Sequence, residues 1–105
     1  MNDDFLIVIS HYAARDDWHL KNLLSEISRI TKNILVVINS DDQTLEIEGY
    51  FEGYPMLSRP NNGMNIGGWN AAYRIRPNCK YYIFLQDECS LVRNDFLEAY
   101  EKLLN

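Results

Sequence analysis

Polar and apolar positions fall into alternating blocks along the 105 residues. "FLIVIS", residues 5–10, is apolar almost throughout, and "NILVVIN", residues 33–39, repeats the pattern. Continuous apolar runs of this length predict strands buried on both faces, as in a parallel sheet. "YPMLSR", 54–59, reads as a short third strand, placed by Pro55 at a sheet edge or at the strand start. "YYIFLQ", 81–86, is the fourth and strongest. Between the first two runs the period changes. Leu20, Leu23, Leu24, Ile27 and Ile30 recur at helical spacing and give one apolar face, with Asp16 or Asp17 placed to cap the helix start. A second helix runs through about Ile75. A third repeats Phe96, Tyr100 and Leu103 on one side, opened by the capping-box pair Asp95 and Glu98. Residues 43–53, "QTLEIEGYFEG", follow neither period and are expected to form a short helix or an irregular excursion.

Strands alternating with helices predict an α/β domain. The expected architecture is three-layer α/β/α, Rossmann-like, with a mostly parallel four-stranded sheet of order 3-2-1-4. The length fits a single domain over residues 1–105. In such sheets ligands sit beyond the carboxyl ends of the strands, where the strand order reverses. For this order the reversal lies between the first and fourth strands, and the loop of His11 and Tyr12 faces that of Asp87 and Glu88.

Composition narrows the function. A net charge of −5 argues against a nucleic-acid partner, because phosphate-backbone binding needs a basic footprint. It leaves room for one small anion held by backbone amides, local cations or a metal. No apolar run is long enough to cross a bilayer, and the opening "MNDD" is too polar for a signal peptide, so a cytoplasmic location is expected. Cys79 and Cys89 form no CxxC pair and have no histidine nearby in sequence, which points to structural or incidental roles. His11 and His19 flank a turn without the spacing of a metal pair.

Three segments carry candidate chemistry. "RPNNGMNIGGWNAAYR", residues 59–74, follows a strand and opens a helix. Free amides at a helix start suit an anion, and glycines let a ligand, or a neighbouring strand, come close to the backbone. The plainer alternative is a tight turn and a glycine-eased helix–sheet contact. "IFLQDECSL" places Asp87 and Glu88 at the end of an apolar strand, where adjacent carboxylates suit a divalent cation carrying a diphosphate, or a solvated acidic turn. "NSDD" after the second strand offers Asn39, Asp41 and Asp42 as acceptors for a nucleobase imide or as turn residues. Tyr12 can stack on a base or simply pack.

In this order and spacing, "FLIVISHY", "ILVVINSDD", "RPNNGMNIGGWNAA" and "YYIFLQDECSLVRNDFLEAY" resemble the nucleotide-binding half of glycosyltransferase family 2, with the GT-A fold. The resemblance spans nearly the whole chain. It implies a nucleoside diphosphate sugar as ligand, donor for transfer to an acceptor hydroxyl. It also implies that Tyr12 and the turn of Asn39 and Asp41 hold the base. Arg59, Asn61, Gly63, Gly67 and Gly68 lie near the ribose or diphosphate, Asp87 contacts ribose or sugar, and Glu88, with Asp87, holds Mn2+ or Mg2+. The sequence departs from the family in two ways. Gln86 and Glu88 stand where the family motif usually has aspartates. The chain also stops at Asn105, before the half in which the family carries its acceptor site and catalytic base, so a truncated domain inactive by itself is expected, and no catalytic residue is assigned. The alternative is a non-catalytic binding or protein-interaction module on the same fold. In either case an uncovered sheet edge is expected to favour self-association.

Overall fold

The computed structural model describes residues 5–61 and 64–86. In chain order these form β1 (Phe5–Tyr12), α1 (Trp18–Ile27), β2 (Ile34–Ser40), β3 (Ile47–Phe51), β4 (Tyr54–Pro60), α2 (Met64–Ile75) and β5 (Tyr81–Gln86). All five strands belong to one sheet of order β3-β4-β2-β1-β5. β1 pairs in parallel with β2 and β5, β2 pairs in parallel with β4, and β3 pairs antiparallel with β4.

The four expected strands keep the order 3-2-1-4, as β4-β2-β1-β5, but the four-stranded sheet is corrected to a mixed, five-stranded one by the antiparallel β3. The added strand comes from residues 47–51 of the segment 43–53, in place of the expected short helix or irregular excursion; residues 43–46 form the loop that leads into it. Glu52 and Gly53 take positive φ values of 50° and 83°, the conformation of a two-residue type I′ turn. That turn folds β3 back on β4 as a hairpin. β4 consequently lies inside the sheet rather than at its edge. Pro55 is tolerated there because the β2 ladder begins only at Met56, opposite Val36, so its missing N–H lies ahead of that ladder.

Alternation along the strands divides the core into two clusters. Phe5, Ile7 and Ile9 of β1, Ile34 and Val36 of β2 and Ile83 of β5 pack beneath Leu20, Leu23, Leu24 and Ile27 of α1. Leu6 and Val8, Leu35 and Val37, and Leu57 pack on the other side against Ala71 and Ala72 of α2. One helix thus covers each side of β1 and β2, which explains why both strands are apolar at every core position. Each fully buried leucine or isoleucine contributes about 1.5–3 kcal/mol relative to exposure, so α1 is held by its four-residue apolar face. Asp17 occupies the N-cap position of α1, but its side chain makes no capping hydrogen bond; instead it lies 3.6 Å from Lys21. Ile30 lies beyond the helix end and packs at the margin of the same cluster.

α2 approaches the sheet through small residues. An added Cβ on Gly68 would meet Asn39 Oδ1 and Ser10 Oγ at 3.1 Å and Val37 Cγ1 at 3.3 Å. The helix rests on the strands because position 68 has no side chain. The expected final helix with its capping box, and Cys89, lie outside the described residues. Cys79 is a free thiol packed at the edge of the α2 cluster.

Candidate functional site

The parallel register carries the carboxyl ends of β1, β2 and β4 to one edge of the sheet. Tyr12 stands opposite Asn39, Asn39 opposite Arg59, and Ser40 opposite Pro60. Because Ser10, Asn39 and Arg59 share the α2 side, the polar groups that end three apolar strands meet there. All three are buried.

Asn39 is the centre of that group. Its Nδ2 donates to Ser10 Oγ at 2.9 Å and to the His11 carbonyl at 3.1 Å. Its Oδ1 accepts from Arg59 Nη1 at 2.7 Å. The amide therefore has one orientation, set by the Arg59 donor facing Oδ1 and by two acceptors, Ser10 Oγ and the His11 carbonyl, facing Nδ2. Burial lowers the pKa of the Arg59 guanidinium from its usual value, which leaves it charged at neutral pH. A cation taken out of water at a strand end raises the local potential for an anion.

A second group lies one step further out, around Asp41. The Tyr12 hydroxyl donates to Asp41 Oδ2, and Asn61 Nδ2 donates to Asp41 Oδ1 at 3.1 Å. A backbone bond from the Asn61 N–H to the Ser40 carbonyl, 3.1 Å, fixes the loop that carries it. Hydrogen bonds from Tyr12 and then Asn61 hold the Asp41 carboxyl below the ordinary aspartate range. The same bond to Asp41 raises the Tyr12 phenol above its ordinary value, with smaller contributions from burial and from the charge of Asp41. An ionised carboxylate and a protonated phenol are thus matched across β1 and β2.

Of the residues singled out in the sequence, Tyr12, Asp41 and Asn61 are joined directly, as are Asn39 and Arg59. Gly68 lies against Asn39, where it makes the close helix–sheet contact. Gly67 is half-buried in α2. Gly63, Asp87 and Glu88 lie outside the described residues. β5 ends at Gln86, in register with Ser10. Among the described residues no group of three His, Cys, Asp or Glu side chains comes together to hold a metal ion.

Two participants were not anticipated. In the sequence Ser10 merely ends an apolar run, although its place two positions beyond Val8 puts it on the α2 side of β1. Gln43 ties the loop after β2 to β4: its Nε2 donates to the carbonyls of Leu45 and Ser58, at 2.6 and 2.7 Å, and its Oε1 accepts from the Ser58 hydroxyl. A glutamine in a polar turn carries no sequence signal for such a role.

No protein-family model, no characterised protein and no solved structure matches this chain. No helix among the described residues is long and apolar enough to cross a membrane.

Proposed function

We propose that this chain is a nucleoside-diphosphate-sugar-binding domain of the GT-A type, similar to the nucleotide-binding half of glycosyltransferase family 2. One helix on each side of a largely parallel sheet is the arrangement expected of a Rossmann-like, three-layer unit. The observation that carries the reading is the convergence of Tyr12, Asn39, Asp41, Arg59 and Asn61 at the carboxyl edge of β1, β2 and β4, beside α2. Ligands of such sheets bind at that edge.

Asp41 accepts the imide or amine hydrogens of the base, and the Tyr12 ring offers a face for stacking. Arg59, oriented by Asn39, supplies positive potential toward the diphosphate. Metal holding rests on Asp87 and Glu88 alone, so the base and ribose reading is tested with and without metal. Calorimetric titration with uridine, guanosine and thymidine diphosphates, each with and without Mn2+, provides the measurement. Heat with one of them that Asp41→Ala abolishes supports the reading. A folded sample that gives no heat with any of them overturns it.

A second reading is favoured by one observation. The polar groups at this edge satisfy one another: both oxygens of Asp41 and both polar atoms of the Asn39 amide are engaged within the chain. A clasp of that kind also suits a non-catalytic interaction module. Binding of a protein partner with no nucleotide heat selects it.

A further inference from the structure

β3 forms one edge of the sheet, with β4 as its neighbour on the inner side. The hairpin turn determines which of its peptide groups face outward. A two-residue type I′ turn makes its flanking residues, Phe51 and Tyr54, a hydrogen-bonded pair, and bonded and non-bonded pairs alternate from there. In the observed register, Ile47, Gly49 and Phe51 direct their N–H and C=O groups at β4. Glu48 and Tyr50 direct theirs away from the sheet. Pro55, which lacks an N–H, stands opposite Tyr50, in a pair that needs none from it.

Side chains alternate as well. Phe51 joins the core beneath α1, so Ile47 shares that side, 58% exposed. Glu48 and Tyr50 take the α2 side, where Tyr50 is 77% exposed. A cavity of about 280 Å3 opens there between Glu48, Tyr50, Pro55 and Arg76. Glu46 is held by Arg74 of α2 at 3.0 Å, and Glu52 at the turn lies 3.8 Å from Lys21. Glu48 has no ion pair among the described residues.

We propose that β3 is the docking edge for an extended segment of a partner protein that alternates basic and apolar residues. The outward peptide groups of Glu48 and Tyr50 supply main-chain hydrogen bonds to the incoming strand, and side-chain pockets select its sequence. Glu48, with Tyr50 beside it, takes a lysine or arginine on the α2 side. Ile47 takes an apolar residue on the other.

A second copy of this chain is the less suited occupant. Two-fold antiparallel registers centred on residues 48, 49 and 50 set Glu48 against Glu48, Glu46 against Glu52, and Glu48 against Glu52 respectively. Like charges directly opposite destabilise a strand pair, and the net charge of −5 adds to the repulsion.

The test uses two labelled hexapeptides of the same composition, one alternating lysine and valine, the other with three lysines followed by three valines. Fluorescence anisotropy with the full chain is expected to show the alternating peptide binding about fivefold tighter or more, the scale of one good cross-strand pair. Glu48→Lys is expected to erase that preference. Tyr50→Pro keeps every carboxylate but removes one outward N–H, and is expected to weaken the alternating peptide while circular dichroism remains unchanged. Equal affinity for the two peptides overturns the proposal, as does insensitivity to both substitutions. A dimer in solution that Glu48→Lys strengthens or dissolves also overturns it, because the edge is then filled by a second copy.

Discussion

Arg59 donates through Nη1 to Asn39 Oδ1 at 2.7 Å, and these two residues are also register partners across β4 and β2. A single cross-strand pair thus joins sheet pairing to the polar centre of the candidate site. Asn39→Ala removes one acceptor of a buried guanidinium and the donor of two further bonds. The expected loss of stability is about 2–4 kcal/mol, the range for leaving a buried charged group short of a partner. Urea unfolding measures it, and a loss no larger than that of an exposed asparagine contradicts the assigned role.

At position 68 helix propensity and packing oppose each other. Alanine is favoured over glycine in a helix by about 1 kcal/mol. Its methyl group would press on Ser10 and Asn39, which are bonded to each other and would both have to give by a few tenths of an ångström. Gly68→Val adds further atoms to the same gap and is expected to destabilise by about 1–3 kcal/mol. Thermal unfolding of both variants shows whether valine falls clearly below alanine, as the contact requires.

The Tyr12–Asp41 bond sets a pH window. Asp41 titrates below its ordinary range in the folded chain. Its contribution is therefore present above the usual aspartate value of about 4 and lost as pH falls through the folded value. Tyr12 titrates above its ordinary range. Its contribution is present below the usual tyrosine value of about 10 and lost as pH rises through the folded one. The stability difference between the natural chain and Asp41→Asn is thus expected to be largest on a plateau between these limits and to shrink on both sides. A difference that grows on acidification contradicts the sign. In Asp41→Asn the Tyr12 phenol is expected to titrate at a lower pH, read from its ultraviolet absorbance.

Glu52 holds φ at 50°, a conformation asparagine adopts more readily than glutamate. Glu52→Asn creates an Asn-Gly turn of the type preferred in two-residue hairpins. It gives up only an exposed contact with Lys21 at 3.8 Å, which is worth little. A rise of a few tenths to about 1 kcal/mol is expected. A fall in melting temperature would show that the turn is held by the lysine contact instead.

Much of the architecture was legible because burial on both sides leaves an unmistakable trace. β1, β2 and β5 are apolar runs, and α1 repeats leucine and isoleucine at helical spacing. β3 was not legible, for a physical reason. An edge strand is buried weakly, so its even positions carry Glu48 and Tyr50, just after Glu46, while glycine interrupts its inner side. Its alternation then looks like an acidic loop. The turn at Glu52 and Gly53 also lacks the asparagine or aspartate that normally marks such a hairpin. At the site, the residue types at the strand ends could be read, but not their pairing. That Asn39 bonds Ser10 and Arg59 depends on a parallel register that no local pattern encodes.

The central place of β1 has a consequence for biosynthesis. One of its two neighbours, β5, brings Tyr81 beside Phe5, so this apolar strand is made long before its last partner. During translation its open flank stays available to other nascent segments until the chain near Gln86 has emerged. Contacts so distant in sequence form slowly and leave hydrophobic surface exposed meanwhile. The yield of folded protein in the cell should therefore depend on chaperones that shield β1 on the ribosome.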